Sequence, residues 1–190
     1  MRHPLELSTD EGKRLIDQIA EMRVPVFVLT GGDPIKRPDL FDLIEYATGI
    51  GVRVSLTPSA TPLLTHEIVH RLKECGLARL AVSLDGPNRE VHDAFRGMVG
   101  SCERTIEAIE WASEFELPVQ VNTTFSRTNY HDFDAIAALM QQKQITLWSV
   151  FFSVPTGRGK LDQLLTDDEF EAIFAKLYGL SKCASFHINI

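Results

Sequence analysis

A glycine pair that follows an apolar run and precedes an acid is the stretch of this sequence best suited to binding a ligand. Thr30, Gly31, Gly32 and Asp33 come directly after the apolar residues 26–29. Such a run predicts a strand buried in a parallel sheet, and the glycines predict a tight turn into a helix. Ligands of parallel sheets bind beyond the carboxyl ends of the strands, and glycine lets them approach the backbone closely. The turn is therefore a predicted binding site.

The charge of Asp33 indicates which ligand this turn would accept. A glycine-rich turn before a helix suits a phosphate, but a carboxylate at the same place repels one. The turn should instead favour a cationic group, such as an amine, received by backbone carbonyls and a carboxylate. The alternative is that Asp33 only caps the turn locally, as aspartate often does.

Polar residues also follow the other predicted strands, which start near residues 53, 79, 119 and 147 after a first strand near residue 25. These strand ends carry hydroxyl, amide and carboxyl groups or a glycine-rich turn: Thr57 and Ser59, Ser83 and Asp85, Asn122 and Thr124, and residues 155–159. In a curved parallel sheet such ends converge on one opening. We expect the set to form one site, although turn chemistry alone would explain each member.

Ser83 and Asp85 predict the kind of molecule that enters this opening. Alternation along a strand places both side chains on the same side of the sheet. A carboxylate there can accept hydrogen bonds from the two hydroxyls of a ribose. The pair therefore favours a nucleoside.

The elements that would position these residues are βα units. Strands recur every 26 to 40 residues with helical periodicity between them, which is typical of a doubly wound sheet or a barrel. The chain opens on a helix with a capping box at Ser8, and residues 186–190 predict the beginning of a further strand. Residues 1–190 contain no linker and are interpreted as one domain.

Composition excludes several classes of function. The chain has 190 residues, of which 44% are hydrophobic, and a net charge of −7. This charge argues against a nucleic-acid or anionic-membrane surface, since phosphates are neutralised by clustered Lys and Arg. No apolar run is long enough to span a membrane and no signal peptide is visible. A cytoplasmic location is expected.

The sequence predicts no metal site and no catalytic side chain. Cys75, Cys102 and Cys183 have no ligand spacing and are interpreted as structural thiols. His66 and His70 are four residues apart, but a histidine pair without a third ligand is typical of a solvated helix face.

Four ordered motifs give the chain a resemblance to a known family. The residues TGGDP at 30–34 resemble the GGE-type motif of radical S-adenosylmethionine enzymes. VSLDGP at 82–87 with HDAFRG at 92–97 resembles the fourth strand and following segment of their haem-biosynthesis and SPASM-like branches. VNTT at 121–124 and PTGRG at 155–159 match the fifth and sixth strand ends. The resemblance covers nearly the whole chain.

The resemblance implies a fold. The expectation is an α/β, partial TIM-like (β/α)6 barrel in which the second to sixth strands are parallel, the helices lie outside and the first strand is missing. A sheet edge left open in this way predicts self-association.

The resemblance also implies a cofactor and its contacts. The turn Thr30, Gly31, Gly32 and Asp33 would hold the methionyl amine of S-adenosylmethionine, with Asp33 replacing the commoner Glu. The ribose and the methionyl carboxylate would face Thr57 or Ser59 and Ser83, with Asp85 nearby. The nucleoside and its adenine would lie near a second group: Asn122, Val154 and Pro155.

The sequence departs from the family at the cysteines. The CxxxCxxC loop that binds a [4Fe-4S] cluster is absent, and three scattered cysteines cannot replace it. The parent enzyme would cleave S-adenosylmethionine to a 5'-deoxyadenosyl radical that abstracts hydrogen from a small-molecule or peptide substrate. This fragment is expected to bind no cluster and to be inactive. The alternatives are a non-catalytic S-adenosylmethionine-binding, nucleotide-binding or scaffold module and another TIM-barrel enzyme.

Overall fold

The computed structural model describes residues 6–154 and 164–190. Within them, six strands form one sheet. The strands are β1 (Phe27–Leu29), β2 (Val54–Leu56), β3 (Arg79–Ser83), β4 (Val119–Phe125), β5 (Leu147–Phe152) and β6 (His187–Asn189). The helices are α1 (Thr9–Glu21), α2 (Leu40–Gly49), α3 (His66–Glu74), α4 (Arg89–Arg96), α5 (Ser101–Glu114), α6 (Phe133–Gln142) and α7 (Asp167–Ser181).

The order of the strands in the sheet is their order along the chain, and every neighbouring pair is parallel. Right-handed crossovers, the rule for parallel strands, then place the helices on one face of the sheet. This is the arrangement of an open, partial α/β barrel, and it confirms the fold predicted from the sequence.

The two faces of the sheet differ in polarity, and β4 shows why. Val119, Val121 and Phe125 alternate with Gln120 and Asn122; the first three are buried and the other two are half-buried. The apolar residues belong to the core beneath the helices, whereas the amides lie on the opposite face. We call that opposite face the inner face.

Trp148 of β5 fills the centre of the helix-covered side. Its ring is fully buried and lies beside Phe125, Phe133 and Phe186, with ring centroids 5.5 to 6.3 Å apart. The indole Nε1 donates a hydrogen bond of 2.8 Å to Thr123 Oγ1. The core therefore pairs its buried polar groups as well as packing its rings.

The capping box predicted at Ser8 is present, and the structure adds one that the sequence analysis did not predict. Ser8 and Glu11 form a capping box at α1, and Thr166 and Glu169 form another at α7. The helix expected after the glycine turn begins at Leu40, because a single 3-10 turn (Pro34–Lys36) comes first.

Candidate functional site

The turns after β1 and β2 lie against each other. Ser59 Oγ donates to the Gly32 carbonyl at 3.2 Å, and Thr61 Oγ1 donates to Asp33 Oδ2 at 2.9 Å. The Thr57 amide donates to the Leu29 carbonyl at 2.9 Å, extending the ladder to the edge of both turns. The structure thus brings together two of the predicted strand ends.

The glycine turn is open to solvent. Thr30, Gly31 and Gly32 are exposed, and no heavy atom would contact a Cβ added at either glycine. Gly31 has φ of 93° and Gly32 has φ of 53°, which are values that L side chains rarely adopt. Backbone groups are therefore presented to the solvent at this turn.

Asp33 has local partners. Its Oδ1 accepts from the Ile35 amide at 3.4 Å and caps the 3-10 turn, while its Oδ2 accepts from Thr61. The local cap considered for the sequence is therefore present. A cation at this turn would be received mainly by carbonyl groups.

Gly31 and Asp33 also border a cavity of about 720 Å³ between α1, β1 and α2. Its lining includes Leu15, Phe27 and Leu40. The same lining also carries the charged side chains of Glu6 and Lys36, so the cavity is only partly apolar.

The end of β3 is built around Asp85, which is fully buried. Its Oδ1 accepts from the Thr124 amide at 2.8 Å, and its Oδ2 lies 2.6 Å from Arg96 Nε. Its amide donates to His92 Nδ1 at 2.9 Å, and its carbonyl accepts from Asn129 Nδ2 at 2.8 Å. Asp85 therefore connects α4, β4 and the loop after β4.

Burial shifts the pKa values of both Asp85 and His92. It raises the pKa of Asp85 above the ordinary value, while Arg96 and the Thr124 amide oppose this shift. It lowers the pKa of His92 to about 4, with a further contribution from Arg96. His92 is therefore neutral near pH 7, and Nδ1 is its hydrogen-bond acceptor.

This placement changes what the sequence predicted for Asp85. Alternation predicted that its carboxylate lies beside Ser83 and faces a ribose. However, β3 ends at Ser83, and the next two residues are buried in the protein interior. Oδ1 is hydrogen-bonded by the Thr124 amide, and Oδ2 is paired with Arg96 by charge but has no well-aligned hydrogen bond among the described residues. Asp85 does not offer them to a ligand directly.

Ser83 and Asn122 are neighbours. They are register partners of β3 and β4, and both are half-buried on the inner face. Val154 is exposed beyond β5, where the Ser153 amide donates to the Phe125 carbonyl at 2.9 Å. Pro155, predicted beside Val154, lies outside the described residues.

Three residues of this region received no role from the sequence. Arg96 and His92 fall in the quoted HDAFRG motif, which was noted only as a resemblance. Asn129 is fully buried and donates to the carbonyls of Asp85 and Thr124 at 2.8 and 2.9 Å. Its only sequence signal is its spacing from Ser126, whose amide it caps.

The cysteines do not fit an iron-sulfur cluster. Cys75 and Cys102 are buried and Cys183 is exposed. Burial and Glu45 raise the pKa of Cys75 to about 12, although cluster ligands are thiolates. Residues 6–154 and 164–190 contain no group of three His, Cys, Asp or Glu side chains that could hold a metal ion. None of their helices is long and apolar enough to cross a membrane.

Fold and site together define the class of protein: a parallel α/β partial barrel in which the turns after β1 and β2 lie against each other and Ser83 is the register partner of Asn122. Residues 1–140 match the family model described as "Radical SAM superfamily". The chain belongs to that superfamily.

The chain is also similar to individual members of the superfamily. It is 42% identical over 93% of its length to an "AdoMet-dependent heme synthase" of Methanosarcina barkeri. It is 35% identical over 66% of its length to a "PqqA peptide cyclase" of Rhodopseudomonas palustris. The match covers 50% of the first relative and 33% of the second, so the chain spans about half the length of the heme synthase.

The fold resembles that of solved radical SAM structures. Streptococcus suis SuiB, in a structure bound to S-adenosylmethionine, superposes with a TM-score of 0.79 at 16% identity. The superposition covers 98% of this chain and 44% of SuiB. At this identity the likeness concerns the fold alone.

Proposed function

We propose that the strand-end opening binds S-adenosylmethionine and that residues 1–190 form the cofactor-binding core of a radical SAM enzyme. The observation that carries the proposal is the contact of the exposed Gly31–Gly32 turn with the Ser59 turn. This contact joins two strand ends that the resemblance assigns to one cofactor. The backbone of the two glycines still faces the solvent.

The methionyl group would be bound by the first three turns. Carbonyl groups at Thr30 to Asp33 would receive the amine. Ser83 and Arg96 would bind the carboxylate, because Arg96 is 38% exposed and only its Nε faces Asp85. Asp85 would act indirectly, by fixing the orientation of that guanidinium.

The nucleoside would be bound by the other strand ends. Thr57 or Ser59 would contact the ribose, as the hydroxyl groups nearest the glycine turn. Asn122 would lie near the nucleoside, and the backbone at Val154 and Pro155 would flank the adenine. Support for these positions comes from the motif order and from the register pairing of Ser83 with Asn122.

Radical chemistry would require a group that the described residues do not hold. In this superfamily a [4Fe-4S] cluster supplies the electron that converts S-adenosylmethionine to the hydrogen-abstracting 5'-deoxyadenosyl radical. We propose that the 190-residue chain is inactive by itself, and a visible cluster absorption after anaerobic iron-sulfide reconstitution would contradict this. A cytoplasmic location stays a prediction of the sequence.

We propose a tetrapyrrole as the substrate of the whole enzyme. The support is the difference between 42% identity over 93% of the chain for the heme synthase and 35% over 66% for the peptide cyclase. A peptide is the alternative.

Calorimetric titration with S-adenosylmethionine tests the binding proposal. Saturable binding at one site per chain is expected. Arg96→Gln should weaken it about tenfold, as for the loss of a charge-assisted hydrogen bond, while the exposed control Arg14→Gln should not. A folded protein without saturable binding would contradict the proposal. The same result would exclude a non-catalytic S-adenosylmethionine-binding module.

A further inference from the structure

One arginine connects the segment before α1 to the loop after β1. Arg37 Nη1 donates to Glu6 Oε1 at 2.9 Å, and its Nη2 donates to the Leu7 carbonyl at 3.1 Å and to Asp39 Oδ2 at 2.9 Å. Its Nε is paired by charge with Asp39 Oδ1 at 2.8 Å, without a well-aligned hydrogen bond. The guanidinium therefore joins two stretches of chain that are 30 positions apart in the sequence.

Asp39 extends these contacts to the first turn of α1. Its Oδ2 also accepts from Thr9 Oγ1 at 2.6 Å. The side chains of Arg37 and Asp39 are only 19% and 11% exposed, so their ion pair lies largely out of water. A charge-assisted pair with several partners and little exposure fixes one geometry better than an exposed pair does. We call Thr9, Arg37 and Asp39 the Arg37 cluster.

The Arg37 cluster is one 3-10 turn away from the glycine turn. Asp33 is the N-cap of that 3-10 turn and Arg37 is its C-cap. The Lys36 amide donates to the Asp33 carbonyl at 3.1 Å, and the Arg37 amide donates to the Pro34 carbonyl at 3.0 Å. Residues 33–37 therefore form one hydrogen-bonded unit, and the Arg37 cluster attaches its far end to α1.

The glycine turn depends on anchors outside itself. Gly31 and Gly32 are exposed, no heavy atom lies within 4 Å of a Cβ placed on either, and glycine backbone is conformationally permissive. Ser59 and Thr61 of the neighbouring turn provide one anchor, at the Gly32 carbonyl and the Asp33 carboxylate. The Arg37 cluster provides the second anchor through residues 33–37. A loop already held in its binding conformation loses less entropy when a ligand binds.

We propose that Arg37 is a positioning residue for the methionyl end of the cofactor: by attaching residues 33–37 to α1, it preorganises the carbonyl groups of the glycine turn for the amine. This inference rests on the proposed function, since it takes the glycine turn as the site of that amine. Arg37 acts through the turn, because its guanidinium is directed at Glu6, Leu7 and Asp39.

Calorimetric titration with two ligands tests the proposal on the 190-residue chain. S-adenosylmethionine carries the methionyl group, whereas 5'-methylthioadenosine keeps the nucleoside and the sulfur without the amino acid. Arg37→Gln should weaken binding of S-adenosylmethionine about tenfold, the effect of losing a preorganised loop, and should change binding of 5'-methylthioadenosine by less than about twofold. Arg37→Lys, which keeps the charge but loses the planar fork, should have an intermediate affinity for S-adenosylmethionine.

Lys143→Gln is the matched control. Lys143 is also 19% exposed and pairs with a carboxylate, that of Glu110, but it lies at the end of α6. Its substitution should leave both affinities at the wild-type values. Asp39→Asn is a milder second variant, since it keeps an oxygen acceptor for Arg37, and it should weaken S-adenosylmethionine binding selectively even where Arg37→Gln fails to fold.

Amide hydrogen exchange in the free protein tests the same role without a ligand. The Ile35 amide donates to Asp33 Oδ1 and the Lys36 amide donates to the Asp33 carbonyl. Both amides should exchange faster in Arg37→Gln and in Asp39→Asn than in the wild type. Lys143→Gln should leave their exchange unchanged.

The outcomes separate this inference from the proposed function. An equal loss of affinity for both ligands would make Arg37 a general structural residue and overturn the inference. Unchanged affinity for S-adenosylmethionine in the folded variants would overturn it too, and so would unchanged exchange at Ile35 and Lys36. A wild-type chain that binds no S-adenosylmethionine would contradict the proposed function, and this inference with it.

Discussion

The carboxylate of Asp85 is fully buried and lies 2.6 Å from the Nε of Arg96, whose side chain is 38% exposed. The pair joins a buried carboxylate to a partly exposed side chain of α4. The Thr124 amide hydrogen-bonds the other carboxylate oxygen, so Arg96 is the only member of the ion pair that is accessible to solvent.

Removing the charge of Asp85 should therefore affect both stability and binding. Asp85→Asn leaves the guanidinium without its counterion and should lower the free energy of unfolding by about 1–3 kcal/mol, less than for a fully buried pair because Arg96 is partly solvated. Affinity for S-adenosylmethionine should fall about tenfold. Urea denaturation and calorimetry measure the two effects.

The exposed pair of Asp134 and Lys176 supplies a control. Asp134→Asn should change the free energy of unfolding by less than about 0.5 kcal/mol. Equal effects of the two substitutions would show that the Asp85 contact has no special role.

His92 should make stability depend on pH. Its pKa is lowered to about 4 in the folded protein and is near 6.5 when unfolded. Between these values the unfolded state binds more protons, so stability is lost as the pH falls from 6.5 towards 4. The loss should approach about 3 kcal/mol.

His92→Asn keeps a hydrogen-bond acceptor but does not titrate, so it should flatten this pH dependence. Denaturation midpoints at pH 7.5, 6, 5 and 4.5 measure the effect. The substitution His70→Asn, at an exposed helix position, should leave the pH dependence in place. If His92→Asn kept the pH dependence of the wild type, the loss of stability at low pH would come from other titratable groups.

Substitution of Thr123 should lower the free energy of unfolding, because its side chain makes two buried hydrogen bonds. Its hydroxyl donates to the Leu84 carbonyl at 2.7 Å and accepts from Trp148 Nε1 at 2.8 Å. Thr123→Val preserves the shape but leaves both partners unpaired, and should cost about 2–4 kcal/mol. A double-mutant cycle with Trp148→Phe should show positive coupling, and strict additivity would count against the hydrogen bond.

The edge strand β1 predicts self-association. Val26 and Val28 are exposed there, and one side of β1 has no neighbouring strand among the described residues. Open edges of this kind pair with other copies. Light scattering should show concentration-dependent oligomers that Val28→Lys reduces, whereas a monomer at high concentration would contradict the prediction.

The sequence was sufficient for the fold because its signals were local. Each apolar run ended at a turn residue, and the predicted cap Ser8 lies where α1 begins. Both glycines of the first turn have the positive φ expected of them. Parallel order followed from the spacing of the βα units.

The site was less predictable because its contacts are not local. Alternation failed at Asp85, since it holds only within a strand and β3 ends at Ser83. Asn129 contacts a residue 44 positions away, and Arg79 contacts one 41 positions away. No pattern within a single element encodes such pairs.

The central claim is the location of the cofactor, and an NMR titration with S-adenosylmethionine tests it most directly. The account predicts that the largest amide shifts occur at Gly31, Gly32, Ser59 and Ser83, with small changes in α7. Shifts concentrated in α7 or β6, or none in the glycine turn at saturation, would contradict it.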